Sequence, residues 1–178
     1  TTYLTVADEA GNMISFINSV SWYFGSGVVV PSTGVILQNR GAGFTLEEGH
    51  PNRIAPNKRP FHTIIPAFVT RDGEPWLSFG VMSGSMQPQG HVQVLLNLIE
   101  FGMDPQEAVD AARFRHLSGN RVAVENLDPE VAASLAELGH DLEVPTGIAF
   151  GGAQAILKLQ RGWAAGSDPR KDGMASGN

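Results

Sequence analysis

The sequence predicts an α+β fold with strands first, helices in the middle and strands last. Three observations carry that prediction. A strand, a turn and a returning strand occupy residues 2–20. Two Asp-Pro pairs, Asp104-Pro105 and Asp128-Pro129, open helices, because Asp caps free amides and Pro fits the first helical turn. Short apolar segments at 141–144 and 153–159 read as closing strands. Antiparallel hairpins with helices gathered on one face give a layered α+β architecture.

Each element has its own warrant. Residues 2–7 alternate as a strand does, and Asp8-Glu9-Ala10-Gly11-Asn12 is a hairpin turn with Gly and Asn where positive φ is cheap. Residues 13–20 return. These two strands, at 2–8 and 13–20, are expected to lie centrally with Thr1 at the sheet's end. Gly25-Ser26-Gly27 is a flexible break, and Val28-Val29-Val30 is too short and β-branched for a helix. Residues 34–39 read as another short strand. A loop of about twenty residues follows over 40–60, a length uncommon unless functional. Arg71-Asp72-Gly73-Glu74 joins strands at 63–70 and 75–81. Beyond Ser83-Gly84-Ser85, residues 88–101 place Val92, Leu95, Leu96 and Ile99 at helical spacing. The Asp104 helix continues to Ala112. The Asp128 helix runs to Leu138 and is stopped by Gly139. From Ser167 the tail is polar. No linker or internal repeat divides the chain, so residues 1–178 are expected to form one domain.

Composition narrows the function classes. At 178 residues the chain is long enough to bury a core. A net charge of −6 argues against nucleic acid, which needs clustered Lys and Arg. Only 17% of residues are charged, against about 25% on average, and Gly is plentiful at 21, which together suggest a loop-rich α/β chain or a surface partly covered by a partner. The absence of Cys removes disulfides, thiolate metal sites and Cys nucleophiles together. No apolar run reaches the ~18 residues of a membrane-spanning helix. The five histidines show no metal-ligand spacing. His91 reads as a partly exposed neighbour of a helix start. His116 is either catalytic or a structural hydrogen-bonding residue.

Thr1 is the most informative residue. With no Met before it, the chain reads as a cleavage product or as a chain trimmed at an arbitrary position. An N-terminal Thr can supply a hydroxyl nucleophile and use its own α-amine as the base. No G-x-S-x-G elbow, complete phosphate loop or G-x-G-x-x-G fingerprint competes with it.

Thr1-Thr2 with its hairpin, Phe24-Gly25-Ser26-Gly27, Gly34-Val35-Ile36-Leu37-Gln38-Asn39, Pro56-Asn57-Lys58-Arg59-Pro60 and Ala165-Gly166-Ser167-Asp168-Pro169-Arg170 occur in an order that resembles the small subunit of the γ-glutamyltransferase family. These are N-terminal-nucleophile hydrolases. The resemblance spans nearly the whole chain. It implies a precursor that cuts itself before a Thr, and a four-layer αββα sandwich shared with a large chain from that precursor. It also implies an amide substrate and no cofactor or metal. Any targeting segment would lie upstream, leaving the compartment open.

Carried over by position, the resemblance makes Thr1 the nucleophile and base. Ser19 stands where the family has a threonine that bonds the nucleophile. Ser83 and Gly84 stand at a glycine pair whose amides form the oxyanion hole; read without the family, they are an ordinary strand-to-helix turn. The family's donor-gripping Asn, Gln, Asp and serine pair are replaced by Ser21, Arg40, Gly43 and Phe61-His62. Gly43 cannot pair an ammonium, whereas Arg40 can pair a carboxylate, with Phe61 an apolar wall and His62 a polar contact. The alternative is that this loop folds away from the site. The variant pattern resembles cephalosporin acylases and oxamate amidohydrolases. The implied reaction is γ-glutamyl transfer or glutathione hydrolysis, or hydrolysis of an acidic acyl amide lacking the ammonium. A cleaved but silent binding protein is the reading from outside the enzyme class.

Overall fold

The structure is a computed structural model that describes residues 1–145 and 150–177. It opens on a two-stranded antiparallel ribbon, β1 (Thr2–Ala7) and β2 (Met13–Asn18). A four-stranded antiparallel sheet has the order β3-β4-β8-β9, formed by Ala67–Arg71, Glu74–Val81, Ala153–Lys158 and Trp163–Ser167. A third sheet holds β5 (Phe114–Ser118), β6 (Arg121–Val124) and β7 (Asp141–Glu143), with β6 and β7 parallel. The helices are α1 (Met86–Ile99), α2 (Pro105–Asp110) and α3 (Pro129–Glu137).

Strand β4 organises the layers, because its residues alternate between two faces. Leu77, Phe79 and Val81 are buried with Val94, Leu98, Ala108 and Val109 of α1 and α2. Ser78 and Gly80 face the ribbon. Ser78 Oγ accepts from Thr5 Oγ1 at 2.7 Å and donates to the Ile14 carbonyl at 3.0 Å. At Gly80 an added Cβ would sit 2.5 Å from the Tyr3 ring, so only glycine allows the ribbon this close. The result is helices, sheet and ribbon in three layers.

The helix starts follow from their caps. Asp104 accepts from the amides of Gln106 and Glu107, while Glu107 returns a bond to the Asp104 amide, a full capping box. Asp128 accepts from the Glu130 and Val131 amides.

A buried ion network ties the tail to the helical layer. Arg113 and Asp168 bond at 2.7 Å with side chains 1% and 0% exposed. Burial alone would push the Asp168 carboxyl up. The Arg113 charge and the amides of Arg170 and Ala153 overcome this and hold it below its ordinary value. Arg170 reaches Glu125 and the carbonyls of Val109 and Ala111. The Ser-Asp-Pro-Arg segment is thus a structural clasp.

Several expectations are corrected. The ribbon is a separate layer on β4 and β8, not the centre of the main sheet. It ends at Asn18, where pairing with Thr2 stops. Residues 34–39 contribute one bridge, Val29 to Ile36, not a strand. Strand β3 begins at Ala67 rather than 63. Strands β5, β6 and β9 were not expected from sequence. His91 lies within α1 and is buried, not a partly exposed neighbour of its start.

Candidate functional site

The register of the ribbon builds the first part of the site. Asp8 closes the turn by accepting from the Asn12 amide at 2.9 Å, while its own amide bonds the Asn12 carbonyl. This pairs Ala7 with Met13 and, at the far end, Thr2 with Asn18. One step further sets Thr1 opposite Ser19. Thr1 Oγ1 donates to Ser19 Oγ at 2.9 Å. Ser19 Oγ is itself fixed by the Ser21 amide at 3.0 Å, with Ser21 held at φ +77°.

The second part is the corner after β4. Tyr3 faces Gly80 and Thr5 faces Ser78, so β1 runs opposite to β4. Continued one step, this places Thr1 at the level of Met82, where Ser83-Gly84 follows. Ser83 and Gly84 have φ of +93° and +50°. Their carbonyls accept from the Met86 and Gln87 amides, turning the chain into α1. The positive end of the α1 dipole therefore lies beside the Ser83-Gly84 amides.

The third part is the loop over residues 40–62, which starts beside the segment that carries Ser19 and Ser21. The Asn39 amide bonds the Val20 carbonyl at 3.2 Å, and Asn39 Oδ1 accepts from the Trp22 amide at 3.1 Å. Arg40, which opens a 3-10 turn Arg40–Gly43, is thereby tied to the segment carrying Ser19 and Ser21. Asn52 clips the loop shut. Its Nδ2 donates to the Gly43 carbonyl at 2.6 Å and its Oδ1 accepts from the Phe61 amide at 2.8 Å. Arg40, Gly43, Phe61 and His62 are thus brought together. The His62 imidazole is held below its ordinary value, first by burial and then by the charges of Arg40 and Arg59.

Asn39, Asn52 and Thr63 hold this arrangement and were missed from sequence. Their signal was weak: polar side chains in a Gly- and Pro-rich loop, able to bond backbone in turns. His116 is structural. Its Nε2 meets the Gly119 carbonyl and its amide bonds Gln89 Oε1. An apolar cavity of about 300 Å³ lies between α3 and β5–β7, lined by Phe114, Val122, Val124, Leu135 and Leu142, and none of the candidate residues contributes to it.

Chemically, the arrangement offers an oriented hydroxyl on Thr1, a corner of backbone amides at a helix start, and a cationic wall. Comparison with known proteins places the chain in a family. A family model described as Gamma-glutamyltranspeptidase matches residues 1–178. The glutathione hydrolase-like YwrD proenzyme of Bacillus subtilis is 37% identical, with 99% of this chain and 35% of that protein aligned. The oxamate amidohydrolase proenzyme of Klebsiella pneumoniae is 38% identical over 99% of this chain and 35% of its own length. Among solved structures, cephalosporin acylase from Bacillus halodurans superposes with a TM-score of 0.92 at 47% identity, over 99% of this chain and 34% of that one. The chain therefore spans about a third of the length of these relatives.

Proposed function

The chain belongs to the γ-glutamyltranspeptidase family, and from that premise we propose that it is the nucleophile-bearing small subunit of an amide hydrolase or acyltransferase. Thr1 Oγ1 attacks the amide carbonyl, and the Thr1 α-amine takes the hydroxyl proton. The oxyanion of the tetrahedral intermediate sits against the Ser83 and Gly84 amides. Donors of this kind are worth about 3 kcal/mol each in acyl transfer. The ammonium returns its proton to the leaving amine as the C–N bond breaks, leaving an acyl ester on Thr1. Water or an acceptor amine then attacks the ester, its proton passing through the α-amine back to Thr1 Oγ1.

The observation that carries this reading is the 2.9 Å bond from Thr1 to Ser19, with Ser19 itself pinned by the Ser21 amide. One side chain thus orients the Thr1 hydroxyl, and a backbone amide orients that side chain in turn. The partner in this reading is a large chain cut from the same precursor, completing the αββα sandwich. The relatives' printed names include a glutathione hydrolase-like protein and an oxamate amidohydrolase, so the donor is a γ-glutamyl amide or a different acidic acyl amide. Gly43 favours the second, since no small-chain acid stands there to meet an ammonium.

The test uses the full-length precursor. Thr1→Ala should leave one uncut chain without amidase activity, and Thr1→Ser should keep both activities at reduced rate. Ser19→Ala should cut normally but lower kcat on the order of tenfold to a hundredfold, the scale of a misplaced reacting group. A Thr1→Ala protein that runs as two bands and turns over amides would overturn the reading.

A further inference from the structure

One stripe of α1 holds β5. Ser85, the N-cap of α1, and Gln89 and Gln93 within it fall at i, i+4 spacing, so they share one face of the helix. Gln93 donates to the Phe114 carbonyl at 2.9 Å and accepts from the Phe114 amide at 2.9 Å. Gln89 does the same for His116, at 3.2 and 2.7 Å. Each glutamine amide thus stands in for a neighbouring strand. Arg115, between these two anchored residues, is in register with Ala123 of β6.

The third member of the stripe meets a side chain instead of the backbone. Arg115 is half-buried, and its Nη2 donates to Ser85 Oγ at 2.9 Å. A serine at an N-cap ordinarily accepts from an amide of its own first turn. Ser85 makes no such bond. Its hydroxyl serves Arg115 instead, and Ser85 directly follows Ser83-Gly84, the corner held at φ of +93° and +50°. A guanidinium keeps its charge at any working pH. Two glutamine clamps, a strand pairing and the Ser85 bond therefore hold a permanent cation beside that corner, where α1 already presents its positive end.

A fixed cation there acts on whatever charge appears at the corner. A planar amide carbonyl carries a partial charge, whereas the tetrahedral oxyanion carries a full one. The cation therefore favours the transition state over the bound substrate, and lowers the barrier without tightening binding. We infer that Arg115 is a positioning residue for the reaction: it steadies the Ser83-Gly84 corner through Ser85 and adds a fixed positive charge near the oxyanion. The inference rests on the Thr1 reading. Acylation and deacylation both pass through an oxyanion at this corner, so the effect falls on kcat whichever step is slower.

The experiment uses the mature enzyme made from the full precursor, with γ-glutamyl and glutaryl p-nitroanilide, and follows the donor that the wild type turns over faster. Arg115→Gln should lower kcat about tenfold and keep KM within about twofold. That is less than the roughly hundredfold lost with a direct oxyanion donor, because this charge acts from beyond contact. Arg115→Lys keeps the charge and should recover most of the rate. Ser85→Ala frees the guanidinium and should fall between the wild type and Arg115→Gln. A second readout separates charge from fold. Butylboronic acid adds to Thr1 Oγ1 as a tetrahedral anion, the hydroxyl proton passing to the α-amine, while butyramide offers the same chain on a planar carbonyl. Arg115→Gln should weaken inhibition by the boronic acid about tenfold and leave inhibition by butyramide unchanged. A change in KM alone, equal losses for the two inhibitors, or an Arg115→Lys enzyme as slow as Arg115→Gln overturns the inference. If the Arg115→Gln precursor stays uncut, the Arg115→Lys and Ser85→Ala enzymes decide by the same two readouts. If the wild type neither cleaves an anilide nor binds the boronic acid, the Thr1 reading fails and this inference falls with it; wild-type turnover that Arg115→Gln leaves intact removes this inference alone.

Discussion

At the scale of single residues, Ser83 holds φ of +93°, a conformation that costs an L-residue about 1 kcal/mol or more. Its amide is one of the two proposed oxyanion donors, and the amide does not depend on the side chain. Ser83→Gly should therefore raise stability by about 1 kcal/mol in urea melts while kcat stays within a few-fold. A large loss of kcat would mean that the Ser83 side chain, not its backbone, serves the site. Asp168 is the opposite case, a side chain on which the fold depends. Asp168→Asn leaves the buried Arg113 charge without its partner and should cost about 3–5 kcal/mol. Stability should also depend on pH in two windows. His91 is buried against the Gln87 and Ile65 carbonyls, and burial outweighs those bonds to hold its imidazole below the ordinary 6.5. The unfolded chain therefore takes that proton first, and stability falls as pH drops below 6.5. Glu125 and Asp168 are held below their ordinary 4.5 and 3.8. Their contribution is whole above those values and is lost on further acidification toward their folded values. Urea midpoints measured from pH 8 to 3 should show both declines, and His91→Asn should flatten the first.

At the scale of elements, the turn at one end of the ribbon sets the Thr1–Ser19 pairing at the other. Successive side chains of a strand point to opposite faces. Deleting Ala10 from the turn and letting the strands slip by one residue would turn Ser19 away from Thr1. That variant should keep the four-stranded sheet, read as far-ultraviolet circular dichroism, yet lose precursor cleavage. Gly80→Ala drives a methyl into the Tyr3 ring and should cost about 1–3 kcal/mol. Cleavage should fall with it if the ribbon's seat on β4 aligns Thr1 with Ser83. The same elements show what the sequence made legible. The ribbon, β4 and the two Asp-Pro helices were readable because each has a local cause: a turn, an alternation, a cap. Strands β5 and β9 were not. Phe114-Arg115-His116-Leu117 has its two polar residues side by side, which breaks the apolar–polar alternation of a strand, and gains its place by pairing with β6. Ala164-Ala165-Gly166 is a run of small residues where α2 presses on the strand; a Cβ at Gly166 would sit 2.3 Å from the Pro105 carbonyl oxygen. Likewise the residue types of the loop over 40–62 were readable, but Asn52 clipping Gly43 to Phe61 is a tertiary fact with no periodicity to announce it.

At the scale of the whole molecule, the ribbon is inside out for a chain that stands alone. Thr5 and Ser15 point inward to Ser78 and Tyr3. Leu4 and Val6 pair across the strands with Phe16 and Ile14, and these four side chains point outward, 43%, 55%, 51% and 57% exposed. Adjacent apolar side chains on one sheet face, flanked by unpaired strand edges, mark a surface that another chain covers. The proposed large chain supplies that cover, and the relatives are about three times as long as this chain. Residues 1–178 expressed alone should therefore collect in the insoluble fraction or melt without a cooperative transition. Expressed as the full precursor, the two pieces should co-purify one to one after cleavage. Phe16→Glu tests the face itself. On the isolated chain it should raise solubility, because a charge breaks the patch. In the precursor it should destabilise the pair and slow cleavage, because the same charge would be buried without a partner. A soluble, cooperatively melting monomer of residues 1–178, or a Phe16→Glu precursor that assembles and cuts as wild type does, would show that the ribbon's outer face belongs to solvent.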